Sequence, residues 1–300
     1  MPLSAASQAE NEGLVERMNP REYEIMAAVE AEHWWYRGLR QQIANSLHRY
    51  GRHLPPSPSI LDAGCGTGEN LRFLQSVCRP SYLGGFDPAV QAVAWSRRKV
   101  PEADIYVSDI CSPELHRDNY DVVLSCDVLY IPGLPAARPG LQRIVHRLNP
   151  GGLLLINLPA YNWLRSDHDL AIGTRQRFVA AELRQLLVDL GLVPRLVTYR
   201  LCLLFPLVVA SRLPSILRPS HDAAQATSAL RRPAAWVNQT LGGVMRAENL
   251  LLASGLRLPW GSSVYAVGQK IPVVPSRSAA EIPLKVPSRV RIGLSGPGRA

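Results

Sequence analysis

The chain is poor in the residues that build covalent or metal frameworks. Its five cysteines, Cys65, Cys78, Cys111, Cys126 and Cys202, are odd in number and scattered. None forms a Cys-x-x-Cys pair or joins a Cys/His cluster, which argues against a disulfide scaffold and a zinc site and predicts no metal. This usage fits a reducing compartment, so a cytoplasmic protein is expected. The first residues, MPLSAASQAENEGLVERM, hold no apolar core of the kind a secretory signal needs. The longest apolar run, Leu201 to Ala210, is interrupted by Pro206 and flanked by Arg200 and Arg212. It falls well short of the roughly 20 residues of a membrane span. There is no internal repeat, no G-x-G-x-x-G of nicotinamide enzymes and no G-K-[ST] of a phosphate loop.

Positive charge is present but unevenly placed. The formal net charge is +9 over 300 residues. From Lys270 onward, Lys270, Arg277, Lys285, Arg289, Arg291 and Arg299 stand against Glu281 alone, a net +5 that leaves only +4 for the rest. The basic balance is mostly a property of the tail. With no RNA-binding or helix-turn-helix signature, no nucleic-acid partner is expected.

Between a polar start (1–13) and a tail rich in Pro, Ser and Arg (271–300), both expected to be disordered, the chain has the pattern of a packed domain. Residues 14–50 have apolar positions at helical spacing, with a break at PPSPS (55–59). Short apolar runs then alternate with helical stretches. Strands are predicted at 60–62, 82–86, 105–107, 121–125, 153–157 and 195–204, and helices at 70–78, 89–99, 141–148 and 180–190. That rhythm predicts a mostly parallel sheet with helices on both faces. It fails after Phe205, where helical stretches occupy 206–259 before a final strand at 263–269.

One turn concentrates the chemistry. ILDAGCGTG (60–68) ends a strand in Asp62 and follows it with Gly64, Gly66 and Gly68 around Cys65. Glycines there allow a tight turn and close approach of a ligand to the backbone. An acid just ahead of the turn repels a pyrophosphate but can accept from an ammonium group. Asp87 ends the second strand about 20 residues later, where a carboxylate can take ribose hydroxyls. Asp109 follows the third strand, where it can accept from an exocyclic amine. A cationic amino acid joined to an adenosine satisfies all three acids, and S-adenosylmethionine is such a molecule.

Here the chain resembles the class I S-adenosylmethionine-dependent methyltransferases. The resemblance runs from about 55 to 205 through ILDAGCGTG, GGFDP, VSDI, YDVVLSCDVLYI and LNPGGLLLIN, in that order. It implies a Rossmann-like α/β fold with an N-terminal helical lid (14–54), a cofactor-binding domain (55–205), a helical acceptor cap (206–260) and a last antiparallel strand (261–270). It implies Gly64, Gly66 and Gly68 at the methionine part, Asp87 at the ribose and Asp109 with Ile110 at the adenine. Cys126 and Asp127 would lie near the sulfonium, with Asp62 acting through the turn or the amino group.

At a finer level, EHWWYRGLRQQI, PAYNWLRSDHD, TRQRF, LLFPL and LRLPWGSSVYAVGQK resemble a bacterial subgroup often found near genes for glycan, lipid or secondary-metabolite assembly. A small-molecule or lipid-linked acceptor is the implied partner. Trp34, Trp35, Tyr36 and Arg37 read either as a packed aromatic face or as a lid, with Arg37 or Arg40 on the methionine carboxylate. His168, between Asp167 and Asp169, reads as a loop histidine or as the base that takes the acceptor proton. Arg175 and Arg177 suit an anionic acceptor or a solvated surface, and Tyr130, Tyr161 and Trp163 suit an acceptor pocket or simple packing. LCLLFPLVVASRLPSILRP reads as a strand followed by a buried helix, or as a cap with peripheral membrane contact. Rival functions are a non-catalytic scaffold of the same fold, a nicotinamide oxidoreductase and an RNA methyltransferase.

Overall fold

The computed structural model describes residues 20–167, 169, 172–217 and 232–271. The expectations for 1–13, for the tail beyond 271 and for His168 lie outside the described residues. Helices α1 (Pro20–Val29) and α2 (Trp34–Tyr50) come first. Strands and helices then alternate: β1 (Ser59–Ala63), α3 (Glu69–Cys78), β2 (Tyr82–Asp87), α4 (Val90–Lys99) and β3 (Asp104–Val107). The second half runs β4 (Tyr120–Cys126), α5 (Leu134–His146), β5 (Leu148–Pro159), α6 (Ala180–Asp189), β6 (Leu192–Arg200), α7 (Phe205–Leu217), α8 (Ala235–Ala253) and β7 (Ser263–Lys270).

One sheet takes all the strands in the order β3-β2-β1-β4-β5-β7-β6. It is parallel from β3 to β5, and β7 is antiparallel to both β5 and β6. The alternation of side chains along a strand decides what each face buries. Leu61, Ala63, Val123, Leu154 and Ile156 pack with Ala137, Leu141, Leu183 and Leu187 of α5 and α6. Their neighbours Ile60, Val122, Leu124, Leu153 and Leu155 face the other way, onto Leu39, Ile43, Leu71, Leu74 and Val93 of α2, α3 and α4. Central strands buried on both faces read as continuous apolar runs, and β1 and β4 are buried at every position.

Several boundaries differ from the sequence reading for identifiable reasons. The helical stretch 14–50 is broken near 30–33. Arg40 Nη2 takes the carbonyls of Glu30 and Ala31 at 3.0 and 2.9 Å, and His33 restarts the chain as the N-cap of α2. Helix α5 begins at Leu134, not 141, and tolerates Pro139 in its interior. The last crossover strand stops at Arg200, not Leu204. Leu201 turns to φ 58° there, and the Leu201 and Leu203 amides donate to Glu248 of α8 at 2.6 and 3.0 Å.

Helix α8 lies along α2. Trp34 N donates to Asn238 Oδ1, Asn45 Nδ2 to the Asn249 carbonyl and Arg49 Nη1 to the Ala253 carbonyl, each pair 204 positions apart. A constant offset means that the two helices run parallel. Gly38 permits the approach, since a Cβ there would stand 3.2 Å from Met245. Among the described residues no helix is long and apolar enough to cross a membrane.

Candidate active site

The site begins at the carboxyl end of β1, where the sheet order reverses between β1 and β4. Crevices of open parallel sheets form at such points. The turn leaving β1 is tied to β2, with Gly64 N and Cys65 N both donating to the Phe86 carbonyl at 2.8 and 2.9 Å. Gly64, Gly66 and Gly68 have φ of 91°, 53° and 86°, the left-handed region. A Cβ on Gly64 would lie 2.2 Å from Val128 Cγ2, and one on Gly68 would lie 2.4 Å from Ser96 Oγ. Two of these glycines are therefore fixed by packing as well as by conformation. Around Gly66 the nearest atom to an added Cβ is Met26 Cε of α1, at 3.2 Å, so the turn lies open except for that helix.

Buried carboxyls surround the turn. Asp62 is 1% exposed, and neither of its oxygens has a hydrogen-bonding partner. Burial, with the neighbouring Asp87, pushes its carboxyl up to about 7. A buried acid without a donor is costly, so this position favours a ligand that brings a cation or N–H groups. Asp87 Oδ2 accepts from Gly66 N and Oδ1 from Ala89 N, both at 3.0 Å, while burial pushes the group up to about 6. Each of its oxygens retains a lone pair for a ligand hydroxyl. Asp109 Oδ1 accepts from Cys111 N at 2.8 Å, and Ile110 is buried against α5.

The end of β4 adds a second cluster. Cys126 is buried there, and burial raises its thiol well above the ordinary range. Asp127 holds a left-handed φ of 57°, uncommon for a residue with a side chain. Its backbone N–H donates to the Asn157 carbonyl at 2.8 Å, and both its oxygens accept from Asn157 Nδ2 at 3.1 and 3.0 Å. Asn157 Oδ1 in turn accepts from Arg200 Nη1 at 3.2 Å. Burial pushes Asp127 up to about 7 against the lowering effects of Asn157 and Arg200. Strained residues at strand ends gather at functional sites, and Asp127 is one.

Helices α1 and α2 cover this crevice. Glu30 accepts from Thr67 in the glycine turn and pairs with Lys99. Tyr36 packs edge-on against Trp35, with ring centres 4.9 Å apart, and its hydroxyl is pushed up by burial and by the charges of Glu30 and Asp127. Trp35 is half-buried between the main core and the α8 cluster. Arg37 is exposed, whereas Arg40 is buried and keeps Nη1 without a partner. Of the two arginines named from the sequence, Arg40 is the one with an unused buried donor.

The acceptor-side residues divide. Tyr130 is buried and lies within electrostatic reach of Asp127, Tyr36 and Tyr23. Tyr161 stacks on Tyr199 and Trp163, at 5.1 and 5.8 Å, and Trp163 is 53% exposed. Arg177, read from the sequence as an acceptor ligand or a solvated charge, is buried in an ion pair. Its Nε and Nη2 form a two-pronged pair with Asp169 at 2.8 and 3.0 Å, and Nη1 donates to the Ala160 carbonyl at 2.8 Å. It is a buried cation, 3% exposed, with each of its three nitrogens engaged by the fold. Asn157 and Arg200 were missed from sequence alone. Asn157 was signalled only as a polar residue in the apolar end of β5, and Arg200 did not stand out in a strand that also carries Arg195 and Thr198.

Residues 32–196 match the family model described as a methyltransferase domain. Trans-aconitate 2-methyltransferase of Escherichia coli is 27% identical over 115 residues, covering 37% of this chain and 42% of that protein. This chain thus spans less than half the length of that relative. A chain from the complex of a methyltransferase activator and a methyltransferase of Haloferax volcanii has the same fold at 18% identity. It superposes with a TM-score of 0.53 over 84% of this chain and 94% of that one. Phosphoethanolamine N-methyltransferase 2 of Haemonchus contortus is similar at a TM-score of 0.50 and 16% identity, over 77% and 52% of the two chains.

Proposed function

Because the chain belongs to the methyltransferase-domain family, with S-adenosyl-L-methionine as its cofactor, we propose that it transfers a methyl group to a hydroxyl or amine of a small-molecule acceptor. The observation that carries the cofactor part is Asp62, a buried acid with two unpartnered oxygens beside an open glycine turn. Asp62 takes the amino group, Asp87 the ribose, and Asp109 with Ile110 the adenine. Arg40 Nη1 is the donor for the carboxylate. S-adenosyl-L-methionine, when bound, supplies a methyl group on a positively charged sulfur that already activates it for displacement.

The protein's own task is alignment, which can account for much of the rate of an in-line transfer. Asp127, Tyr36 and Tyr130 line the end of β4 with oxygen acceptors and hydroxyls. That lining suits a neutral nucleophile carrying a proton, and the engagement of Arg177 with Asp169 argues against an anionic acceptor. For a hydroxyl acceptor, His168 is the proposed proton acceptor. Exposed Leu203, Leu207 and Leu213 beside Trp163 support a lipid-linked glycan or an apolar secondary metabolite as the acceptor class, met at a membrane surface.

Calorimetric titration with S-adenosylmethionine, its demethylated product and NADH tests the cofactor. Micromolar binding of the first two and none of NADH is expected. Failure of both adenosyl ligands to bind overturns the proposal. Transfer of a labelled methyl group into any acceptor separates the enzyme from a non-catalytic scaffold of the same fold. Label in the lipid-extractable fraction supports the membrane-linked class.

A further inference from the structure

Three side chains form a line beneath the site, and packing alone does not explain them. Arg200, on β6, is 0% exposed. Its Nη1 bonds Asn157 on β5, while Nε and Nη2 meet no acceptor. A buried guanidinium with one fork unpaired is costly, and its single hydrogen bond fixes a neutral amide. That bond determines how the amide is turned. With Oδ1 held by Arg200, Nδ2 must face Asp127, and both carboxylate oxygens receive it.

The position of Asp127 follows from the sheet. Asp87 on β2 and Asp109 after β3 occupy one side of the glycine turn, the side assigned to the nucleoside. Asp127 occupies the other side, at the end of β4. Val128, the next residue, touches Gly64, and β4 pairs directly with β1. A cofactor laid across the turn therefore brings its far end, which carries the sulfur, toward Asp127.

We propose that Arg200, acting through Asn157, holds Asp127 as a charge sensor at the donor end of the cofactor site, so that ionised Asp127 retains the positively charged cofactor and releases its neutral product. Arg200 is a positioning residue here, and the inference rests on the cofactor reading above. The groups facing Asp127 are Tyr36 from α2, Cys126 from its own strand, Tyr130 from the following loop and Arg200 from β6. Glu248 of α8 faces Arg200 from beyond, with both oxygens taken by backbone amides. Burial raises Tyr36, Tyr130 and Cys126 further from ionisation, so they stay neutral through pH 6 to 9. Asp62 and Asp87 also titrate near neutrality, but they act on the amino group and ribose, which cofactor and product share. Asp62, like Asp127, is within electrostatic reach of Cys126, so the part of any rise that belongs to Asp127 is the part that Asp127→Asn removes.

The test is calorimetry with S-adenosylmethionine and S-adenosylhomocysteine across pH 6 to 9. In the wild-type protein the preference for the charged ligand should rise about tenfold as Asp127 ionises, a modest figure for a partly screened charge pair. Asp127→Asn should remove most of the rise while still binding both ligands. Arg200→Met should move the midpoint of the rise to higher pH, and Arg200→Lys should bring it back toward wild type. If Arg200→Met does not fold, Asn157→Ser, which cuts the link between Arg200 and Asp127, should move the midpoint in the same direction, and an unmoved midpoint there overturns the proposal. A ratio in the wild type as flat as in Asp127→Asn overturns the proposal, as does a midpoint that Arg200→Met leaves unmoved or that Arg200→Lys displaces as far as Arg200→Met does. Absence of binding by both ligands to the wild type instead overturns the cofactor reading, so the two failures are distinct.

Discussion

At the scale of single residues, the proposed cofactor site is a set of buried acids whose ionisation opposes folding until a ligand arrives. Asp62, Asp87 and Asp127 are pushed up to about 7, 6 and 7, mainly by burial. Unfolded, such groups titrate near 3.9. The folded chain therefore binds these protons more tightly than the unfolded one. The stability they contribute is complete below about pH 4 and is lost as pH rises through 6 to 7. Asp169, held low by Arg177, works the other way and loses its contribution in acid. The ligand-free protein should accordingly melt at a lower temperature at pH 8 than at pH 6, measured by calorimetric or fluorescence melting. Asp62→Asn should flatten that fall and raise stability at pH 8 by about 2 kcal/mol, since the side chain keeps its shape without the charge. The same substitution should weaken S-adenosylmethionine binding by about tenfold to a hundredfold, the loss of one partly buried charge contact. A protein whose melting temperature is level from pH 6 to 8 would show that these acids are not linked to folding.

At the scale of elements, the strand-turn-helix unit of β1 and α3 carries the strictest constraints, and its three glycines are not equivalent. Gly64 combines a left-handed φ with a 2.2 Å collision against Val128, whereas Gly66 has only a flexible methionine end nearby. Gly64→Ala should destabilise the fold by more than about 3 kcal/mol, with backbone strain and overpacking acting together. Gly66→Ala should cost about 1–2 kcal/mol, from strain alone. Denaturant unfolding of the two proteins checks this order, and equal losses would contradict it.

This unit was also the most legible part of the sequence, because an acid ahead of glycines at alternating positions constrains backbone and ligand together. The parallel core was legible too, since β1 and β4 are buried on both faces and read as apolar runs. Less could be read where a long-range polar bond sets the boundary. The end of β6 depends on Glu248 receiving the amides of Leu201 and Leu203 across 47 and 45 positions. The break between α1 and α2 depends on Arg40 reaching back to the carbonyls of Glu30 and Ala31. Arg177 looked available in the sequence because its partner Asp169 is brought to it only by the fold. No local periodicity records such contacts.

At the scale of the whole molecule, the chain closes its sheet late. Strand β6 has no direct partner among the earlier strands. It joins the sheet only through β7, which bonds β5 from Leu153↔Gln269 to Pro159↔Ser263 and β6 from Leu192↔Lys270 to Arg200↔Ser263. Lys270 then donates to the carbonyls of Val145, His146 and Leu148 at 3.1, 2.9 and 2.7 Å, tying the end of β7 to the junction of α5 and β5. Arg200 reaches Asn157 across the strand that β7 interposes, so the polar line beneath the site exists only once β7 is in place. A chain ended after Trp260 should therefore fail to fold cooperatively, leaving β5 and β6 as open apolar edges prone to association. A chain ended after Ile271 keeps every β7 contact named here, and should keep the melting temperature within a few degrees and the cofactor affinity within about twofold. Size-exclusion chromatography, thermal melting and calorimetry on the two truncations check both statements. Retained cofactor binding in the shorter chain would show that the site assembles without β7, and would make the Arg200–Asn157–Asp127 line dispensable for holding the ligand.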